Sequence, residues 1–106
     1  MLKEITPREY ADLATGDASV TLLDVREDWE LALASVEGAL HMPMGQVPDR
    51  LAELGQHACI VVMCHHGSRS ATVAGFLQRN GFSQVLNLAG GIDAWARDLD
   101  PNVPSY

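Results

Sequence analysis

The stretch CIVVMCHHGSRSATVAGFL, residues 59–77, decides the fold. Its opening, Cys59 to Met63, is the most apolar segment of the chain, short and bounded, as in a strand buried on both faces. It ends at Cys64. The next residues, His65, His66, Gly67 and Ser68, form a polar turn. Ser68 or Arg69 then opens a helix that continues to Arg79 and stops at Asn80-Gly81. A buried strand running through a tight turn into a helix is the repeating step of an α/β sheet.

The rest of the chain repeats that step. Thr6-Pro7-Arg8-Glu9 is a capping box, with Thr6 as N-cap and Glu9 reaching back, so a helix runs to about Ala14 and stops at Gly16. Val20 to Val25 is a short strand, and Glu27 to Ala34 a helix with Trp29 and Leu33 four residues apart on one face. Gly38 to Pro43 holds a short strand, and Pro48 to Leu54 a helical pattern closed by Gly55. Gln84 to Leu88 is another strand, and Gly90-Gly91 turns into a helix over Ile92 to Asp98. The tail, Pro101 to Tyr106, reads as coil or a frayed end. Strands alternating with helices predict a largely parallel sheet between helices, with ligands bound beyond the carboxyl ends of the strands. Asp24, Cys64 and Gly90-Gly91 all follow strands and so converge on that edge.

Composition narrows the function. The 106 residues form a single domain, and a formal charge of −7 with one lysine, Lys3, argues against nucleic acid or an anionic membrane as partner. No apolar run approaches the roughly 20 residues a membrane helix needs. The amino terminus carries an acid almost at once, unlike a secretory leader, which makes the cytoplasm the expected compartment. On one extended strand Cys59 and Cys64 stand roughly 16 Å apart. A disulfide needs Cα atoms within about 7 Å, so no bridge joins them. Cys59 reads as a core residue.

Cys64 is different. Backbone N–H groups of the turn converge there, and with the start of the next helix they favour an anion. A sulfur at that point is favoured as thiolate. Gly67 allows the turn its shape, and Arg69 adds a permanent charge and a planar fork of donors. The constellation suits a nucleophilic cysteine whose attached product is then held by the loop.

Four segments together resemble the single-domain rhodaneses, a sulfurtransferase family: Leu23-Asp24-Val25-Arg26, Glu37 to Pro43, Val62 to Ser70, and Leu88 to Trp95. They stand in the family's order and span most of the chain; the histidine usual near Ser35 or Val36 is missing. The resemblance implies a mostly parallel five-stranded sheet with helices on both faces. It implies that Cys64 takes sulfur from thiosulfate or a persulfide, holds it as a persulfide within the loop His65, His66, Gly67, Ser68, Arg69 and Ser70, and passes it to a thiol or cyanide. Arg69 binds the anionic donor or braces the loop, and His65 and His66 add donors. Neither a cofactor nor a metal is implied. A sulfur-carrier module fed by a relay protein is the alternative. Cysteine phosphatases and arsenate reductases place five residues between cysteine and arginine; here four do, a nest sized for one sulfur atom.

Asp24 and Arg26, at a strand end, read as supporting residues, with Arg26 in an ion pair to Glu27, Glu30 or another helix carboxylate. His41 reads as a half-buried, hydrogen-bonded histidine, and Trp29 and Trp95 as packing residues. The whole reading requires the Cys64 thiol to face the loop amides; a thiol turned inward among aliphatic side chains, out of reach of solvent, would undo it.

Overall fold

Side chains that alternate between two faces along one fully buried strand set the architecture in the computed structural model, which describes residues 2–16, 19–55 and 58–106. Strand β4, Ile60–Met63, is buried at all four positions. Ile60 and Val62 pack into one apolar cluster, and Val61 and Met63 into another on the opposite face. The remaining strands are β1 (Lys3–Ile5), β2 (Thr21–Asp24), β3 (Leu40–His41) and β5 (Val85–Leu88). They form one sheet in the order β1-β5-β4-β2-β3, every pair parallel. Helices α1 (Pro7–Gly16), α2 (Asp28–Leu33) and α3 (Ser68–Arg79), with a 3-10 segment between β3 and β4, make the crossovers, and α4 (Gly91–Asp98) follows the last strand. Val73, Ala74 and Leu77 of α3 cover the first face with Val47. Ile92 and Trp95 of α4 cover the second, where Tyr10 of α1 stacks obliquely on Trp95 at 5.4 Å.

The five-stranded parallel sheet with helices on both faces is as expected, and the details differ instructively. Strand β1 has no signal of its own, since Lys3 and Glu4 are exposed and only pairing with β5 makes it a strand. The helix expected over Pro48 to Leu54 is a 3-10 helix from Met44–Glu53, with a kink at Arg50 (φ −117°, ψ 16°). Pro48 lies inside it and has no N–H to donate to a helical ladder. Cys59 precedes β4 and is half-buried rather than core. Trp29 is not a packing residue: it is 63% exposed and Leu33 51%, while Glu30 of the same helix is buried at 2%. Helix α2 therefore turns its acid inward. The capping box of Thr6 and Glu9 forms with bonds of 2.8 and 3.1 Å, and Glu27 and Glu30 form a second at the start of α2.

Candidate active site

Cys64 directly follows β4, at the carboxyl edge of the sheet. The residue is 1% exposed and packs in the cluster that holds Val25, Met42 and Val73. Its sulfur also accepts a hydrogen bond from the Gly67 amide at 3.0 Å. The requirement set by the sequence is thus met in one respect only: the thiol faces a loop amide, and it does so from inside the apolar layer.

The loop keeps its shape because its carbonyls are held from outside. At the start of α4, the Ile92 amide donates to the Cys64 carbonyl at 2.8 Å and the Asp93 amide to the His65 carbonyl at 3.1 Å. That approach demands glycine. A Cβ on Gly91 would overlap the Cys64 and His65 carbonyl oxygens, and φ there is +59°. Gly67 caps α3 with φ 110°. Its carbonyl accepts from Ser70 Oγ and from Asn87 Nδ2, both at 3.1 Å. Ser70 also donates to Asn87 Oδ1 at 2.5 Å. Ser70 and Asn87 are fully buried. Ser70, expected within the binding loop, is turned into the protein as a brace. Asn87 on β5, which sequence reading missed, completes that brace.

Among the described residues, both arginines beside the loop are paired with acids. Arg69 closes its fork on the Glu30 carboxylate at 2.6 and 2.8 Å. This bidentate bond is the chief reason Glu30 is held down at about 2, with the Tyr106 hydroxyl and the Glu27 amide helping against the cost of burial. The same bond raises the Arg69 pKa, and the nearby Cys64 adds to that rise. Arg26 is 0% exposed and pairs with neither Glu27 nor the Glu30 carboxylate. Its partner is Asp24, at 2.9 Å from Nε and 2.7 Å from Nη2. Burial opposes the Arg26 charge, and the bonds to Asp24 and Tyr106 outweigh it, raising its pKa. The Arg26 carbonyl is met by His41 Nε2 at 2.6 Å.

Tyr106 ties these pairs together, so that of the two expectations for the tail, packed coil and frayed end, the packed coil holds. Its hydroxyl donates to Glu30 at 2.7 Å and accepts from Arg26 at 3.0 Å. Its ring stacks on His65 at 3.9 Å, 6° from parallel, and His66 stacks on the other side of His65 at 3.9 Å. Nothing local marked Tyr106, because its partners lie up to 80 residues away in sequence.

Among the described residues, His65, His66 and Asp93 present donor atoms within 4.8 Å of one another. A cleft of 520 Å³ between residues 31–37, Trp95 and the tail includes neither Cys64 nor its loop.

Residues 6–98 match the rhodanese-like domain family. A sulfurtransferase of Allochromatium vinosum is 35% identical over 97 residues, covering 92% of this chain and 91% of its own. The putative sulfur carrier protein YrkF of Bacillus subtilis is 34% identical over 94 residues, covering 89% of this chain but only 51% of that longer protein. Among solved structures, a rhodanese-like domain protein from Staphylococcus aureus superposes with a TM-score of 0.85 at 30% identity over 99% of both chains.

Proposed function

The chain belongs to the rhodanese-like domain family, and from that premise we propose that it is a sulfurtransferase working through a persulfide on Cys64. The supporting observation is the Cys64 sulfur, 3.0 Å from the Gly67 amide, at the head of a loop whose carbonyls are tied down by α4. In this reading the Cys64 thiolate attacks the outer sulfur of thiosulfate or a persulfide. Sulfite or a thiol leaves, and the sulfane sulfur stays on Cys64 until a thiol or cyanide takes it. The buried pairs Asp24–Arg26 and Glu30–Arg69 brace the loop; Arg69 positions rather than binds. With Cys64 only 1% exposed, a donor reaches its sulfur only when the surroundings shift.

A persulfide or thiosulfate with cyanide should yield thiocyanate with the wild-type protein, and Cys64→Ser should yield none above the uncatalysed rate. Activity that survives Cys64→Ser contradicts the reading.

The likeness to a putative sulfur carrier supports a second version, in which another protein loads Cys64. It predicts that sulfur reaches Cys64 only when a donor protein is added, and never from thiosulfate alone.

A further inference from the structure

The cations beside Cys64 are each already answered by an acid, and this bears on which sulfur donor the site accepts. The chain has seven lysines and arginines. Arg69 and Arg26 stand against the loop network, and both forks are closed on carboxylates, of Glu30 and Asp24. Arg97 reaches the loop only through Asp93 and is shared with Asp98. Arg8 lies beside Arg97 at the first turn of α1, and Arg50 is bound to Glu53. Arg79 ends α3, and Lys3 lines a cleft with Cys59 and Gln84 at the opposite edge of the sheet. Helix α2, whose Glu30 meets Arg69, adds the opposite sign: Glu27 and Asp28 are exposed at its start, the Asp28 side chain at 93% and 3.7 Å from His41 Nδ1. Beside them Trp29 and Leu33 offer exposed apolar surface.

An anionic donor approaching Cys64 finds acids and, among the described residues beside the loop, no uncommitted guanidinium, so like charges oppose the encounter. Resting on the sulfurtransferase reading, we propose that Cys64 takes its sulfur from persulfides R–S–SH whose R group is uncharged or cationic, and that Glu30, by occupying the Arg69 fork, selects against dianionic thiosulfate. The step balances without an outside oxidant or reductant. The Cys64 thiolate forms a bond to the outer sulfur as the bond between inner and outer sulfur breaks. The electron pair leaves on R–S⁻, and the outer sulfur keeps its proton as Cys64–S–SH.

The test measures the rate of sulfur loading onto Cys64 by mass spectrometry at pH 8, above the ordinary imidazole range. Donors are thiosulfate and the persulfides of mercaptoacetate, mercaptoethanol and cysteamine, generated in situ. Each rate is divided by that of the same donor with a free thiol, which removes intrinsic reactivity. The expected order is cysteamine, mercaptoethanol, mercaptoacetate, then thiosulfate, with thiosulfate at least about tenfold below the neutral persulfide and salt narrowing the spread. Thiosulfate equal to or faster than the neutral persulfide overturns the proposal while Cys64 still loads. Loading of Cys64 by no donor contradicts the sulfurtransferase reading itself, and this proposal with it. Folded Glu30→Gln, which frees the guanidinium charge, should raise the thiosulfate-to-neutral ratio; an unchanged ratio removes Glu30 from the role.

Discussion

Arg69→Ala should cost far more stability than the loss of a surface charge. Its partner Glu30 is 2% exposed and held near 2, against an ordinary value of 4.5, chiefly by the Arg69 fork. A displacement of that size corresponds to about 3 kcal/mol of favourable interaction with the carboxylate. Removing the guanidinium leaves a buried carboxylate with only the Tyr106 hydroxyl and the Glu27 amide, a change that typically costs about 3 kcal/mol or more. Urea unfolding at pH 7 should show that gap, and the melting temperature should fall by roughly 10 °C or more. The pH dependence follows from the sign. A carboxylate depressed in the folded state stabilises above its unfolded pKa, and that stabilisation is lost as pH falls toward the folded value. The gap between wild type and Arg69→Ala should therefore be full at pH 7 and shrink between 4.5 and about 2. By pH 3.5 it should have lost about 1 kcal/mol. A variant within about 0.5 kcal/mol of wild type, or a gap independent of pH over that window, refutes the reasoning.

Gly91→Ala forces a Cβ into the Cys64 and His65 carbonyls at a left-handed φ; it should cost more than about 2 kcal/mol and abolish sulfur transfer, seen by thermal melting and the thiocyanate assay. Asn87→Ala strips a support from the Gly67 carbonyl and should cost about 1–3 kcal/mol in denaturant unfolding, with kcat falling more than KM rises. Tyr106→Phe keeps the ring on His65 but loses the hydroxyl bonds to Glu30 and Arg26, which should cost about 1–2 kcal/mol. Trp29→Ala, at an exposed site, should stay within about 0.5 kcal/mol of wild type in the same measurement.

What sequence disclosed was local. The capping box of Thr6 and Glu9, the run from Ile60 to Met63, and the helix opened by Ser68 each follow from residues within a few positions of one another. Convergence of Asp24, Cys64 and Gly90-Gly91 at one sheet edge followed from parallel topology alone. What stayed hidden was long-range. Glu30 finds Arg69 across 39 residues, and Asn87 finds Glu4 across 83. Helix α2 misleads because apolar spacing ordinarily marks the buried face; here ion pairing with Arg69 draws Glu30 inward and leaves Trp29 and Leu33 outside. Strand β1 owes its form to β5, and Tyr106 is fixed by Arg26, Glu30 and His65, none of which its own neighbourhood announces.

Peptide mapping by mass spectrometry, after brief exposure of the protein to a sulfane-sulfur donor, asks directly whether position 64 carries the transferred atom. The added mass of one sulfur should appear on Cys64, disappear on treatment with cyanide, and be absent from Cys64→Ser. Sulfur found on Cys59 instead, or on neither cysteine with any donor, contradicts a loop built to hold it.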